Sequence, residues 1–480
     1  MNFLFKEKRD LASVIHGNRP VGRMERLRLA VSLSIPAIVA QISAIVMQYI
    51  DASMVGSLGA LPAASIGLVT TSTWIFFGLC SACSVGFSVQ VAHLLGAGNG
   101  KGAREVLRQS LVAALLYSLV LSAIGVSISF DLPRWLGGEP EIRPNASLYF
   151  LITVAAMPLF QFSYLSSGML RSSGNMVFPG MVGTLMCILD VIFNFFLIFP
   201  TREVNFLGFS LNFPGFGCGV WGAALGTSLA EGVGALIMLW KIIFSSKELK
   251  IIEERGSFRL RKACMKKAFH IGFPLGIERF LTSGAQVMIT IIVAPLGAAS
   301  IAANAFAVIA ESICYMPGYG IGDATTTLVG QSIGAGKLTL TRQFAYTSTA
   351  LGMIVMTALG VVMYLVAPLM MEIMSPDKEI VDLGVVALRT EAWAEPMYAA
   401  SIVAYGAFVG AGDTLIPCFM NLGCMWGVRV ILAAVLAPVL GLHGVWIAMA
   451  IELTFRGIVF LIRLRGKKWM LRINKLNSIN

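Results

Sequence analysis

The chain has 480 residues, of which 57% are hydrophobic and only 13% charged, and its mean hydropathy is +0.79. Soluble domains carry about a quarter charged residues, so this composition excludes an ordinary soluble protein. Apolar stretches of about 20 residues, the length of a helix that crosses a bilayer, recur along the whole chain. The sequence therefore predicts an all-α polytopic membrane protein.

Twelve transmembrane helices are predicted, six in each half of the chain. In chain order their approximate bounds are 31–55, 64–92, 107–130, 146–170, 176–199, 218–242, 268–293, 301–331, 342–367, 384–410, 416–437 and 441–464.

The basic residues are distributed unequally between the two sides of the predicted membrane. With the N-terminus inside, the inner segments hold 28 of the 36 Lys and Arg residues, whereas the outer loops hold four. The positive-inside rule then places both termini in the cytoplasm, as expected for a multi-pass protein of the cell inner membrane. Because this topology accounts for the net charge of +11, no nucleic-acid partner is predicted.

An internal repeat is the most informative feature of the chain. With a shift of 238 residues, the two halves align without a gap from the first span to the start of the fifth. SIPA at Pro36 meets GFPL at Pro274, LLGAGN meets SIGAGK, and GMLRSSGN meets GAFVGAGD. Each repeat has six crossings, so both enter the membrane from the same side. Such parallel repeats are related by an axis along the membrane normal, one arrangement used for alternating access.

The repeat predicts two pseudo-symmetric six-helix lobes joined by a linker. The N-terminal lobe, with its cytoplasmic tail, is residues 1–243, and the C-terminal lobe, with a second cytoplasmic tail, is residues 268–480. The linker is residues 244–267. Acids and bases alternate along this linker, which predicts a solvated surface helix rather than a binding site.

Ionisable residues inside a membrane need a partner or a function. Acids outnumber bases within or beside the predicted spans. The acids are Asp51, Asp190, Glu231, Glu278, Glu311, Asp323, Glu391, Glu395 and Glu452, and the bases are Arg279, Arg389, Arg429 and Arg456. Two ion pairs are predicted from local spacing: Glu278 with the adjacent Arg279, and Glu452 with Arg456 one helical turn away.

Asp51 and Asp190 are the strongest functional candidates, because neither has a basic residue within one helical turn. A rise of ~1.5 Å per residue puts them ~27 Å and ~18 Å above the cytoplasmic side, which allows them to meet in the outer half. Two carboxylates that share a poorly hydrated cavity favour protonation of at least one, or binding of a small cation. The alternative is a structural role, as a protonated Asp hydrogen-bonded to the neighbouring backbone.

Several motifs occur together and in order along the chain. They are IPAIVAQ, DASMVGSLGA, VAHLLGAGNGKGAR and GMLRSSGN in the first half, and LVGQSIGAGK and GAFVGAGDT in the second. In this combination, over about residues 25–465, the chain resembles the multidrug and toxic compound extrusion (MATE) family, prokaryotic type. The resemblance implies a twelve-helix antiporter that exports organic, mostly cationic compounds in exchange for H⁺ or Na⁺.

The resemblance also implies roles for individual residues. Asp51 in the first span and Asp190 in the fifth would carry the coupling ion, a proton or Na⁺, and Thr227 matches a hydroxyl of the sixth span near that site. Some family members have Asn one turn before the acid of the fifth span. Here Met186 stands in that position and Asn194 lies one turn after the acid, so a sodium site of that design is not implied.

In the second lobe, the resemblance matches Glu278 to an acid used by another branch of the family, and Glu395 would extend an acidic pocket there. No resident cofactor is predicted. The predicted partners are small organic cations and drugs, H⁺ or Na⁺, and the lipid bilayer, with the chain acting as a monomer.

Three other functions were weighed against export. A lipid-linked oligosaccharide flippase of the same superfamily is the nearest alternative, but a cavity for pyrophosphate should be basic, and this inventory is acidic. An intramembrane enzyme is disfavoured because the four His residues are scattered without metal-ligand spacing. An ion channel is disfavoured because no segment resembles a selectivity filter.

Overall fold

The computed structural model describes residues 11–17, 19, 21–206, 209–252 and 256–471. The first ten residues and the last nine, which hold part of the two predicted basic tails, lie outside the described residues.

Long helices dominate the first half of the chain. They are α1 Leu11–His16, α2 Arg23–Gly56, α3 Ala60–Gly96, α4 Gly100–Ile128, α5 Leu132–Trp135, α6 Arg143–Ala155, α7 Met157–Ser172, α8 Val177–Ile198 and α9 Gly219–Trp240, which continues as a π-helical turn, Lys241–Ser245.

A β-hairpin lies between α8 and α9, where the sequence indicated only a long outer loop. Its strands, β1 Pro200–Phe206 and β2 Phe209–Phe216, pair antiparallel, with Val204 opposite Leu211. Aromatic and β-branched residues recur in both strands, the composition that favours a pleated ribbon.

The second half is again built from long helices. They are α10 Lys262–Val293, followed by a 3₁₀ turn Ala294–Leu296, then α11 Ala298–Gly334, α12 Leu338–Met374, α13 Lys378–Ala392, α14 Glu395–Gly410, α15 Leu415–Cys424, a π-helical segment Met425–Val430, α16 Ile431–Leu440 and α17 Leu442–Arg465.

The predicted all-α polytopic architecture is confirmed, with a correction to the number of continuous spans. In the described part of the chain, ten helical stretches are long and apolar enough to cross a membrane, and α6 with α7, bent by 47°, makes an eleventh. The span predicted at 384–410 is broken between α13 and α14, of 15 and 16 residues. Charged side chains along α13 explain why it lacks the apolar character of its neighbours.

The repeat is visible in the helix bounds. The limits of α3, 60 and 96, recur 238 residues later as those of α11, 298 and 334. The limits of α7, 157 and 172, recur at the same shift as those of α14, 395 and 410. Helices of the two halves pack on each other, α2 against α11 and α3 against α10. The division into lobes at residues 244 and 267 stays a prediction.

The helix predicted in the charged linker is wrong for the described residues. After Ser245 the chain forms turns and extended segments until α10 begins at Lys262. Arg104 and Arg108 of α4 donate hydrogen bonds to the backbone carbonyls of Glu248 and Ile251. Since these carbonyls have partners on α4, they do not need the partners that a helix would supply.

The two halves are joined by hydrogen bonds near the side of the bundle that holds α1 and the linker, which we call the terminal side. His93 Nε2 lies 2.8 Å from the carbonyl oxygen of Gly410, and Gln331 donates to the carbonyl of Ser172 at 2.6 Å. Helix α1 covers this junction, where Ile15 is buried in a cluster with Leu328 and Phe344. The halves are therefore in close contact on the terminal side.

Candidate functional site

The four residues predicted from the sequence for ion coupling lie together between α2, α8 and α9. The amide nitrogen of Asn194 donates to Asp51 Oδ1 at 2.7 Å and to Asp190 Oδ2 at 3.1 Å. The hydroxyl of Thr227 lies 3.4 Å from Asp51 Oδ2. The two carboxyl groups are also close enough to share a hydrogen bond. One amide and one hydroxyl thus hold two acids side by side.

Helix geometry explains how α8 presents this group. Asp190 and Asn194 are four residues apart and so project from the same face of the helix. Met186, one turn earlier on that face, is also buried, and it offers a thioether where an amide would be needed. The amide of Asn194 therefore bonds both acids from the opposite end of the acid's helical turn.

Close packing of α9 on α8 depends on Gly226. A β-carbon at this position would collide with Oδ1 of Asn194. Glycine thus allows α9 to approach until Thr227, the next residue, reaches Asp51. The site is therefore assembled by a backbone contact as well as by its polar side chains.

The site contains buried acceptor atoms without partners. Asp190 and Asn194 are both 0% exposed, and Oδ1 of each lacks a hydrogen-bond donor in the described part of the chain. Buried polar oxygens left unpaired are costly, and two neighbouring carboxylates repel each other. A proton on one carboxyl group, or a small cation among these oxygens, would remove both costs. The arrangement is thus suited to taking up and releasing one positive charge.

The oxygen-rich character of the group bears on which ions it could hold. Carboxylate, amide and hydroxyl oxygens are ligands for hard cations, so Na⁺ fits the donor types as well as a proton does. Among the described residues, no group of three or more His, Cys, Asp or Glu side chains is arranged to hold a metal ion.

Glu278 lies in a separate polar group in the second half. Its Oε2 accepts a 2.5 Å hydrogen bond from the hydroxyl of Tyr405, and its Oε1 accepts a 2.6 Å hydrogen bond from the amide of Asn421. The predicted ion pair with Arg279 is wrong, because adjacent residues on a helix diverge by about 100°. The predicted pair of Glu452 with Arg456 is confirmed at 3.1 Å.

Glu395 belongs to a different cluster from Glu278. It is fully buried at the start of α14, close to Cys314 and Glu311 of α11, and Glu391 at the end of α13 is buried beside them. Tyr405, which binds Glu278, lies ten residues further along α14, or roughly 15 Å along the axis. The acidic pocket predicted in the second half is thus divided into two groups.

An ion pair between the halves was not predicted from the sequence. Nη1 of Arg171 on α7 lies 2.5 Å from Oδ2 of Asp323 on α11, and the amide of Gln41 on α2 donates to the same oxygen at 3.2 Å. The only signal available was that both charged residues border apolar spans. Which charges meet across the interface depends on tertiary packing, which no local spacing encodes.

With the fold and this geometry in hand, the chain can be compared with known proteins. The MatE family model matches residues 36–196 and 274–435, one match in each half. The chain belongs to the MATE family. The two matches begin 238 residues apart, the shift of the internal repeat.

Curated relatives of this MATE transporter align over nearly the full chain. The probable multidrug resistance protein NorM of Thermotoga maritima is 26% identical over 441 residues, covering 92% of each chain. The multidrug resistance protein MdtK of Yersinia pseudotuberculosis serotype O:1b is 24% identical over 451 residues, covering 91% of this chain and 95% of its own.

Solved structures agree with the fold. A crystal structure of MATE in complex with MaL6 superposes with a TM-score of 0.84 at 20% identity, covering 97% of this chain and 99% of its own. At this identity the likeness concerns the fold alone, and it identifies the chain as a multi-pass membrane protein of the MATE type.

Proposed function

We propose that this MATE transporter is a secondary multidrug efflux antiporter, which exports organic, mostly cationic compounds in exchange for H⁺ or Na⁺ by alternating access. Its substrates would be drugs and other small organic cations, and the chain would work as a monomer without a resident cofactor or an enzymatic step. The names of its relatives NorM and MdtK, both multidrug resistance proteins, support this substrate class.

One observation carries the coupling mechanism: Asp51 and Asp190 share Asn194 while buried acceptor oxygens beside them lack a donor. A carboxylate pair of this kind is stable inside a membrane only when neutralised. The coupling ion neutralises it in one state of the cycle, and release of that ion in the other state makes the charged pair unfavourable. The transporter thereby changes conformation according to which ion is bound.

The proposed orientation places the terminal side in the cytoplasm of the cell and the chain in its inner membrane. Basic side chains on this side, among them Lys101, Arg104, Lys337 and Arg342, support the assignment. The contacts between the halves on the terminal side then close the cytoplasmic entrance, so that the ion site communicates with the outside.

The second half contributes an acidic region for substrates in this proposal. Glu278 and Glu395 are its two anchors, each in its own group. Glu278, held by two neutral donors, keeps a negative charge that would attract an organic cation. The nearest alternative function, transport of a lipid-linked oligosaccharide, needs basic rather than acidic residues in the path, and the buried acids do not favour it.

The proposal is tested with purified protein in liposomes, by following a fluorescent organic cation such as ethidium while a proton gradient or a sodium gradient is imposed separately. Export predicts dye movement driven by at least one of the two gradients and abolished when that gradient is collapsed. Dye movement independent of both gradients, or none in a preparation shown to be folded, would refute coupled export.

A further inference from the structure

Arg279 has no partner that accounts for its charge. It lies on α10 about 17 residues from the start of the helix and about 14 from its end, so roughly 26 Å and 21 Å from the two ends. Its guanidinium makes no hydrogen bond or ion pair with any residue that the structure describes. The neighbouring Glu278 is occupied by Tyr405 and Asn421. Five N–H donors near the middle of a membrane helix are therefore unused.

The side chain of Arg279 points into the seam between the halves and away from the lipid. A β-carbon added to Gly78 on α3 would lie 3.0 Å from Cβ and 3.2 Å from Cγ of Arg279, so the arginine stem crosses α3 where α3 has no side chain. The lipid-facing residues of α10 nearby are aromatic, with Phe273 52% and Phe280 57% exposed. Snorkelling of the guanidinium to a lipid headgroup does not fit this direction.

The internal repeat supports the same placement. The residue 238 positions before Arg279 is Gln41. Its amide reaches across the interface to Asp323 of the second half. The corresponding positions of α2 and α10 thus both direct a polar side chain toward the opposite half. Gln41 has found a carboxylate there, whereas Arg279 has not.

Phenol groups from both halves surround Arg279. Tyr164 of α7 in the first half and Tyr319 of α11 in the second lie close enough to interact with it electrostatically, together with Tyr405. Tyr405 donates its proton to Glu278. The hydroxyls of Tyr164 and Tyr319 have no hydrogen bond among the described residues, and both side chains are half-buried, as is the accessible space they line.

We propose that Arg279, with the hydroxyls of Tyr164 and Tyr319, is an anion-binding point in the transport path that takes the carboxylate of zwitterionic substrates. A planar guanidinium binds a carboxylate through two parallel hydrogen bonds, and a phenol adds a third donor. A purely cationic substrate gains nothing from this group. The inference rests on the proposed export function and extends its substrate class to compounds that carry an acid as well as a positive charge.

Two dyes that differ only at one carboxyl group test this inference: tetramethylrhodamine with its free carboxylate, a zwitterion, and its methyl ester, a cation. Flux of each is measured in liposomes for wild type, Arg279→Gln and Arg279→Lys. We expect Arg279→Gln to reduce free-acid flux tenfold or more and ester flux less than twofold. Arg279→Lys keeps the charge without the planar fork, and should reduce free-acid flux by a smaller factor.

A charge control is Arg134→Gln, which removes one positive charge from an exposed position on the short helix α5, and it should leave both fluxes unchanged. Thermal unfolding of each variant is followed in detergent. If Arg279→Gln does not fold, the ratio of the two fluxes in Arg279→Lys decides. An equal fall in both fluxes, or transport of the ester but not the acid by wild type, would overturn the inference while export stands. Failure of wild type to move either dye would overturn export as well.

Discussion

The amide of Asn194 on α8 donates a 2.7 Å hydrogen bond to Asp51 on α2, although the two residues are 143 positions apart in the chain. The same nitrogen also bonds Asp190 on its own helix. Because one donor serves two acids, any change in the ionic state of one carboxyl group alters the hydrogen bonding of the other. This geometry links the occupancy of the site to the packing of α2 against α8.

Thr227→Ala should weaken binding of the coupling ion. The variant removes the hydroxyl beside Asp51 Oδ2, and a net loss of about 1 kcal/mol corresponds to a roughly fivefold increase in the half-saturating concentration of H⁺ or Na⁺. The matched control is Ser228→Ala on the next residue, whose hydroxyl bonds the carbonyl of Ala224 on its own helix at 2.6 Å. The measurement is dye flux against the concentration of the driving ion, and an equal shift in both variants would exclude a specific role for Thr227.

Gly226→Ala should impair transport by displacing Asn194, since the added methyl group occupies the position of its Oδ1. Alanine is the better helix former by about 1 kcal/mol, so helix propensity cannot cause the loss. In the control Gly232→Ala, the new methyl group would lie 3.2 Å from Cδ1 of Leu159, the movable end of a side chain. We expect at least a tenfold loss of coupled flux for the first variant and little change for the second; similar fluxes would contradict the packing argument.

Breaking the ion pair between Arg171 and Asp323 should favour opening on the terminal side. Asp323→Asn and Arg171→Leu each remove one member, and spin labels placed on the terminal ends of α3 and α11 would report the longer distance in a larger fraction of molecules. The charge reversal Arg171→Asp with Asp323→Arg should restore part of the wild-type distribution, because the pair reforms. Unchanged distances in all variants would show that this contact does not stabilise the closed side.

Glu278→Gln should reduce flux of organic cations while leaving use of the driving ion unchanged. The glutamine retains an acceptor for Tyr405 or Asn421 and removes the negative charge. We expect the half-saturating dye concentration to rise several-fold, with the half-saturating concentration of the driving ion as in wild type. If the variant changed only the response to the driving ion, Glu278 would belong to coupling instead of substrate binding.

The parts predictable from the sequence are those that depend on local pattern or on the repeat. Asp51 and Asp190 could be selected because a carboxylate in an apolar span without a nearby base is costly, and their convergence could be anticipated from depth along the helices. The repeat gave the correspondence of α3 with α11, since a constant shift preserves element bounds.

The parts that could not be predicted depend on contacts between distant segments. The orientation of the Asn194 amide requires the close approach of α9 at Gly226, and Arg171 meets Asp323 only once the halves have packed. Adjacency in sequence was misleading for Glu278 and Arg279, because neighbouring residues on a helix point in different directions. In the linker, alternating charges indicated a helix, but bonds to arginines of α4 hold its backbone in turns.

The central claim is that Asp51 and Asp190 bind the coupling ion as one unit, and flux of an organic cation in liposomes tests it most directly. Wild type, Asp51→Asn, Asp190→Asn and the double variant are compared under an imposed gradient, together with their thermal stability. Asparagine keeps the shape but cannot release a proton and binds a cation poorly. We expect each single variant to fold and to lose at least tenfold in driven flux, and the double variant to be little worse than either, because residues that act as a unit are not additive. Full gradient-driven transport by Asp51→Asn, or a defect that is only unfolding, would contradict the claim and make Asp51 a structural residue.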